Sequence, residues 1–309
     1  MVAIVAIAGA CTTTEEVPPP LLRTSPGSDR SKPSEAQNAE LKDGRINASS
    51  SDPTPSSGAC TKNGLTKGGG QAKTIDVAGE NRAYTISVPQ GYGELPQSWR
   101  LVFAFHGSGG DGASLRNWYD ADQRYAEKGA IVVYPDARFG NWDLDSPVDS
   151  NPDIAFFDAL VADISSKACV DADRLFAVGF SNGAYFVNQL ACRRGGVLRA
   201  IAPHAGGGPY GQGSSYDAEG HLICAGKPPA VKVFHAEDDT TVPISNADST
   251  LAHWTWANGC QSSMHGAAPD SCNGYDGCGN KVEVCRYWGV GHSIWSEGAK
   301  ATWDFFASF

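Results

Sequence analysis

Five short, almost wholly apolar runs recur along the chain: Leu101–Phe105, Ile131–Tyr134, Leu175–Val178, Ala200–Ala202 and Val231–Phe234. Apolar runs of this length are typical of strands buried on both faces, as in a parallel sheet. Longer stretches with helical periodicity lie between and after them: Asp153–Ala168, Asn182–Arg194, Asn246–Asn258 and Glu297–Phe306. The chain therefore alternates between predicted strands and predicted helices.

This alternation predicts an α/β fold, with a mostly parallel central sheet and helices on both of its faces. An N-terminal hairpin is predicted ahead of it, because Lys73–Val77 and Arg82–Val88 alternate in polarity around a turn at residues 79–81. Ligands of such sheets bind beyond the carboxyl ends of the strands. Functional residues are therefore expected just after each apolar run.

Residues 12–58 have a different character from the rest. They are rich in Pro, Ser, Asn and charged residues and carry almost no aliphatic periodicity. Such a segment buries too little apolar surface to offset its ordering entropy, so we predict a disordered linker. Residues 59–309 contain no second linker and no internal repeat, which predicts a single domain.

The first eleven residues predict export. Met1–Ala10 is apolar and ends in small residues directly before Cys11, which resembles a bacterial lipoprotein signal in which that cysteine is acylated. An ordinary secretory signal is the alternative. The first interpretation predicts a cell-envelope lipoprotein that touches the membrane only through a lipid on Cys11. The second predicts a secreted extracellular protein.

Composition narrows the function further. The chain of 309 residues has a formal net charge of −10, which argues against a nucleic-acid partner. Its nine cysteines form no CxxC pair and accompany no histidine cluster, so we predict no metal site. With Cys11 set aside, eight cysteines remain for four disulfides, and spacing alone leaves their pairing open.

A candidate nucleophile follows the third run. Residues 179–183 read Gly-Phe-Ser-Asn-Gly, a G-x-S-x-G motif between a predicted strand and a predicted helix. A serine on a sharp strand-to-helix turn needs glycines at both flanking positions, where backbone segments come close together. The helix that begins there directs free N–H groups towards any negative charge that forms. Ser181 is therefore the candidate nucleophile.

Three further loops carry matching chemistry. Residues 106–110, His-Gly-Ser-Gly-Gly, form a glycine-rich turn where a second oxyanion donor is expected. The loop after Val231–Phe234 offers three acidic candidates, Glu237, Asp238 and Asp239, and a late glycine-flanked loop offers His292. The order Ser, acid, His along the chain is that of α/β-hydrolases.

Several segments together resemble a known family. They are Cys169-Val170-Asp171, Arg174, the motif at 179–183, Leu190-Ala191-Cys192, Asp153-Ile154, Phe156, residues 256–260 and Gly291-His292. This pattern is similar to the carbohydrate esterase group of feruloyl esterases, which it shares with extracellular polyhydroxybutyrate depolymerases and acetylxylan esterases. The resemblance covers most of residues 59–309 and implies the α/β-hydrolase fold.

The resemblance also assigns roles by position. It implies Ser181 as nucleophile, His292 as base, and Asp239 as the acid, because that residue stands three positions before a Val-Pro pair. Asp238 is the main alternative. The backbone N–H groups of Ser108 and Asn182 are expected to form the oxyanion hole, and no cofactor is expected.

The resemblance implies a disulfide pairing as well. It favours Cys60–Cys169 and Cys192–Cys224. For the four cysteines that remain, we predict the pairs Cys260–Cys285 and Cys272–Cys278. All four are expected to be structural.

The predicted function is an exported serine esterase, and we expect a monomer. Trp142, Trp288 and Trp295 are candidate substrate contacts, although a role in the core is equally compatible with their positions. The favoured substrates are hydroxycinnamoyl esters, such as ferulate, on plant polysaccharide. The alternatives are polyhydroxybutyrate, acetylxylan or another small ester, and, from a different class, a catalytically silent binding module of the cell envelope.

Overall fold

Ten strands form one sheet in the computed structural model, which describes residues 60–94, 98–211 and 215–309. The strands are β1 (Gly68–Val77), β2 (Glu80–Val88), β3 (Trp99–Phe105), β4 (Ala130–Pro135), β5 (Val170–Phe180), β6 (Ala200–His204), β7 (Ala230–Ala236), β8 (Met264–Ala267), β9 (Cys272–Tyr275) and β10 (Val282–Tyr287). Their order is β1-β2-β4-β3-β5-β6-β7-β10-β9-β8. The six central strands, β4 to β10 in that order, are parallel, and the two strands at each edge are antiparallel.

Helices cover both faces of this sheet. They are α1 (Gly112–Tyr119), α2 (Pro152–Lys167), α3 (Asn182–Arg193), α4 (Ser245–Ala257) and α5 (Gly298–Ala307). Residues of α2, α3 and α4 share one apolar core, and residues of α1 and α5 share the other. In β3, Phe103 faces the first core while its neighbour Val102 faces the second. The apolar runs are thus apolar throughout because both of their faces are buried.

The predicted architecture is confirmed. Each of the five apolar runs lies within one of the strands β3 to β7, and each of the four predicted helices matches α2, α3, α4 or α5 to within about a residue. The predicted hairpin is β1 and β2, whose register pairs Val77 with Glu80. The fold is that of the α/β-hydrolases.

Four elements were not predicted from the sequence: α1, β8, β9 and β10. The most consequential is β10, which pairs in parallel with β7 and aligns Tyr287 with Ala236. Its partly exposed positions, Glu283 and Arg286, interrupt the apolar pattern. A strand that is not fully buried is harder to recognise by its hydrophobicity.

Two predicted disulfides are present and two are wrong. Cys60–Cys169 and Cys192–Cys224 are formed as expected. The predicted pairs Cys260–Cys285 and Cys272–Cys278 are replaced by Cys260–Cys278 and Cys272–Cys285. The reason is register: β9 runs antiparallel to β10 with Cys272 directly opposite Cys285. This leaves Cys260, which follows α4, to join Cys278.

The predicted signal, the predicted acylation of Cys11, the whole linker predicted for residues 12–58 and the predicted start of the domain at residue 59 all fall outside the described residues. These remain predictions. Within residues 60–94, 98–211 and 215–309, no helix combines the length and the apolar composition needed to cross a membrane.

Candidate active site

The candidate nucleophile lies on a sharp turn between β5 and α3. Ser181 has a φ of 52° and a ψ of −119°, outside the usual regions for a residue with a side chain. Its N–H donates to the carbonyl of His204 on the neighbouring strand β6, at 3.0 Å. The turn is thus held by the sheet itself, which projects the hydroxyl beyond the ends of the strands.

The two glycines of the motif are required by crowding. A Cβ on Gly179 would lie 2.2 Å from the carbonyl oxygen of Gly183. A Cβ on Gly183 would lie 2.2 Å from the carbonyl oxygen of Phe105, in β3. Both distances are far below van der Waals contact. Hydrogen at Gly179 therefore lets the turn close on itself, and hydrogen at Gly183 lets it pack against β3.

Three side chains from different loops make a continuous hydrogen-bonded chain. The Nε2 atom of His292 lies 2.9 Å from the Oγ of Ser181, and its Nδ1 lies 2.7 Å from the Oδ2 of Asp239. The loops that carry them follow β5, β7 and β10, which are neighbours or near neighbours in the sheet. Residues 111 and 53 positions apart in sequence therefore meet at one edge.

Asp239 is built to stay ionised. Its side chain is buried, which alone raises the pKa, but hydrogen bonds from His292 and from the backbone at Val242 and Thr241 hold its pKa below the ordinary value. The last two N–H groups donate to Oδ1, each at 2.9 Å. A buried carboxylate with its oxygens occupied in this way has a fixed orientation towards the imidazole.

The other two acidic candidates have different contacts. The carboxylate of Asp238 accepts from the N–H groups of Gly289 at 3.1 Å and Gly291 at 3.4 Å, in the loop that carries His292. Glu237 accepts from Arg286 at 3.3 Å. Of the three acidic residues, Asp239 is therefore the one that contacts His292.

The two expected oxyanion donors lie next to the candidate nucleophile in sequence and in the loop at 106–110, where an added Cβ on Gly107 would come within 3.3 Å of the Cβ of Ser181. Asn182 is the first residue of α3, where N–H groups lack helical acceptors. In the loop at 106–110, the N–H of Gly109 donates to Gly140 and that of Gly110 donates to Gly107. Among the residues described, neither Ser108 nor Asn182 gives its N–H to an intramolecular acceptor.

His106 fixes that loop. Its Nε2 accepts from the N–H of Ala137 at 3.0 Å, which leaves the proton on Nδ1 to donate to the carbonyl of Gly107 at 2.7 Å. Burial lowers the pKa of His106, so this neutral tautomer persists. His235 plays a similar part at the end of β7, where its Nε2 donates to the carbonyl of Val242 at 2.8 Å.

The three tryptophans predicted as substrate contacts differ in their burial. Trp142 is only 3% exposed, and its Nε1 donates to the carbonyl of His106, so its predicted role as a substrate contact is wrong. It anchors a loop because its ring packs between Phe105 and Phe186. Trp295 stacks on Tyr287 at 4.9 Å and is partly exposed, whereas Trp288 is 74% exposed.

Two aromatic residues near the site were missed. Phe180 directly precedes Ser181 and packs against His292 at a ring distance of 5.1 Å. Trp118, at the end of α1, meets the edge of Phe180 at 4.8 Å and is half exposed. Since α1 itself was not predicted, no sequence pattern placed Trp118 near the site.

One cluster within the described residues has the composition of a metal site: Cys192, Cys224 and His253. Both of its cysteines are joined in a disulfide, and the Nε2 of His253 lies 3.3 Å from the Sγ of Cys224. A disulfide sulfur offers no thiolate ligand. These residues therefore do not fit a metal ion in the oxidised protein.

Comparison with solved structures agrees with the fold. The chain resembles an acetyl xylan esterase from Aspergillus awamori with a TM-score of 0.61 and 18% identity, over 77% of this chain and all of that one. No family model matches the sequence. The likeness shows the shared α/β-hydrolase fold.

Curated relatives give the family. A probable feruloyl esterase C from Aspergillus terreus is 30% identical over 264 residues, which span 78% of this chain and 90% of the relative. A feruloyl esterase D from Neurospora crassa is 27% identical over 82% of this chain and 91% of the relative. The chain belongs to the feruloyl esterase family, as the sequence resemblance indicated. The enzyme, and not the catalytically silent binding module, is the class that these relatives support.

Proposed function

We propose that this protein is a serine esterase that releases ferulate or related hydroxycinnamates from plant polysaccharide. The observation that carries the proposal is the contact chain in which His292 lies 2.9 Å from the Ser181 hydroxyl and 2.7 Å from the Asp239 carboxylate. Distances of this kind suit a nucleophile, a general base and the group that orients that base. The names of the relatives support the choice of substrate.

In the proposed mechanism, Ser181 Oγ attacks the ester carbonyl while His292 Nε2 takes the hydroxyl proton. Asp239 holds the proton on Nδ1 and stabilises the imidazolium that forms. The N–H groups of Ser108 and Asn182 bind the oxyanion of the tetrahedral intermediate. His292 then protonates the leaving alcohol, and water hydrolyses the acyl-enzyme with His292 acting as base again.

Replacement of the nucleophile tests the mechanism. We expect Ser181→Ala to retain less than about 1% of the wild-type kcat on methyl ferulate, because nucleophile and base act as a unit. A fluorophosphonate probe followed by peptide mass spectrometry should label Ser181 in the wild type alone. Ser249→Ala, a surface hydroxyl in α4, is the matched control and should keep full activity. Retention of more than about 1% of kcat by Ser181→Ala would contradict the assignment.

A substrate panel tests the acyl specificity. Methyl ferulate, p-nitrophenyl acetate, acetylated xylan and hydroxybutyrate oligomers are compared on the wild type by kcat/KM. We expect methyl ferulate to be the best of the four. A preference of about tenfold or more for the oligomers would instead indicate a polyester depolymerase, and one for acetylated xylan would indicate an acetylxylan esterase.

Export is part of the proposal. The four disulfides between Cys60 and Cys285 are consistent with an oxidising compartment outside the cytosol. We further propose that Cys11 carries a lipid anchor and that the protein is a monomer.

A further inference from the structure

Three exposed aromatic residues lie on segments that contact the loops of the candidate site. Trp118 is 51% exposed, Phe139 is 94% exposed and Trp288 is 74% exposed. Trp118 packs on Phe180 beside the nucleophile, and Trp288 lies four residues before His292. We call these three residues the aromatic rim. Large exposed apolar groups beside a candidate site commonly mark a binding surface.

Phe139 is the most exposed of the three, and its loop is tightly fixed. The carbonyl of Gly140 accepts from Gly109 at 2.8 Å, and the N–H of Ala137 donates to His106 at 3.0 Å. On the other side, the N–H of Trp142 donates to the side chain of Asn182 at 2.8 Å. The loop is therefore joined both to the expected oxyanion loop and to the turn that carries Ser181, and it presents Phe139 at the rim of the site.

The residue at this position is locally unfavourable. Phe139 has a φ of 52° and a ψ of 27°, in the left-handed region where glycine and asparagine are favoured over bulky side chains. Its ring buries almost nothing, and the guanidinium of Arg138 lies 5.7 Å from the ring centroid. A strained, exposed aromatic that does not stabilise the fold points to a role in binding.

The surroundings of the ring indicate the kind of partner. Arg138 donates to Glu80 at 3.0 Å, and both side chains are about two-fifths exposed, so a flat aromatic face lies beside hydrogen-bonding groups. This combination suits a sugar, which offers an apolar face for stacking and hydroxyls at its edge. A solid polyester surface would instead favour a wide apolar patch without charged groups.

We propose that the aromatic rim binds the polysaccharide outside the catalytic site, with Phe139 as a stacking platform for a sugar ring. This inference rests on the proposed function, since it is the polymeric alcohol part of the ester that extends beyond the reacting carbonyl. Phe139 would then determine the preference for polymeric over small esters without touching the reacting atoms.

The test compares two substrates in the wild type and in two variants of Phe139. Phe139→Asn removes the ring and tolerates the left-handed backbone, while Phe139→Tyr keeps an aromatic face. We measure kcat/KM on feruloylated arabinoxylan and on methyl ferulate, and express the result as the ratio of the two. We expect Phe139→Asn to lower this ratio by at least about fivefold through KM on the polymer, and Phe139→Tyr to restore it.

A binding measurement removes the dependence on turnover. Affinity electrophoresis in arabinoxylan gels should retard Ser181→Ala, and the double variant Ser181→Ala, Phe139→Asn should migrate faster. Trp256→Ala is the matched control, because Trp256 is 43% exposed but lies near the far end of α4 and stacks on His221. It should leave both the ratio and the retardation unchanged. Thermal unfolding should give Phe139→Asn a melting temperature at or above that of the wild type.

The outcomes separate this inference from the proposed function. If the wild type hydrolyses neither ferulate substrate, the proposed function fails. If it hydrolyses both and Phe139→Asn leaves the ratio unchanged, or lowers both activities equally, the platform is disproved. Hydroxybutyrate oligomers are measured in parallel. If Phe139→Asn lowers activity on these oligomers alone, the inference is also overturned, because the partner would then be a polyester.

Discussion

At the scale of single residues, the neighbouring Asp238 and Asp239 in the loop after β7 make different contacts. Asp239 contacts the imidazole of His292, whereas Asp238 accepts two backbone N–H groups from the loop that carries that histidine. Both glycines that donate to Asp238 have positive φ, 79° and 59°, so this loop has a specific conformation to hold. We infer that Asp238 positions His292 through the backbone.

Substitution distinguishes the two carboxylates. We expect Asp238→Ala to lower kcat by about tenfold with little change in KM, because the imidazole loses its fixed placement. Asp238→Asn, which keeps one oxygen acceptor, should recover part of that loss. Asp239→Asn should lower kcat by about 10⁴, since it favours the wrong histidine tautomer. If Asp238→Ala lowered kcat as much as Asp239→Asn does, Asp238 would be identified as the acid that orients His292.

At the scale of elements, the turn at Ser181 packs very closely against β3. Gly183 allows the start of α3 to approach the carbonyls of Phe105 and His106, to which an added Cβ would come within 2.2 and 2.5 Å. Backbone atoms of a central strand cannot move aside cheaply in a close-packed interior. The geometry of the turn is therefore coupled to the position of the first helical residues.

Replacement of Gly183 by alanine should push the start of α3 away from β3. We expect Gly183→Ala to lower the free energy of unfolding by about 1–3 kcal/mol and to reduce kcat more than tenfold, as the turn carrying Ser181 shifts. Urea unfolding and initial rates on methyl ferulate measure the two effects. Gly91→Ala is the control, because a Cβ there meets no atom within 4 Å. Equal stability and activity in both variants would show that the turn relaxes freely.

At the scale of the whole molecule, buried neutral histidines make folding sensitive to acid. Burial lowers the pKa of His204 from 6.5 to about 3, and it also lowers the pKa values of His106 and His235. His204 lies beneath the site, where its Nε2 contacts Thr302 and its ring stacks on Phe234. Below pH 6.5 the unfolded chain binds protons that the folded chain does not, so stability decreases as pH falls.

The contribution of His204 can be measured directly. By proton linkage, the low pKa of His204 has little effect on the free energy of unfolding above about pH 6.5, and it lowers that free energy by about 2 kcal/mol at pH 5. The depressed pKa of Asp239 acts in a lower window, near and below its ordinary value of 3.8. Urea unfolding at pH 7.5 and pH 5.0 should therefore show a smaller loss in His204→Gln than in the wild type. Parallel losses in the two proteins would exclude His204 as the source.

Much of the fold and of the candidate site was predictable. Runs such as Leu101–Phe105 predicted strands because a central parallel strand is apolar on both faces. The turn at Ser181 was recognisable because its glycines are a local requirement of close packing. The sequence-based predictions failed where no local pattern in the chain reflects how a residue packs. The strand β10 is partly exposed, and the exposure of Trp142 and Phe139 could not be told from composition, since each is an aromatic residue in the same loop.

The sequence by itself determined strands β3 to β7, helices α2 to α5, the turn that carries the candidate nucleophile and the family, because these depend on periodicity, glycine positions and motifs that are local in the chain. Only the tertiary structure decided how the last four cysteines pair, that Asp239 and not the alternative Asp238 contacts His292, and which aromatic residues face solvent. Each of these depends on the register of strands and the direction of side chains between distant segments. Such relations arise only when those segments pack together.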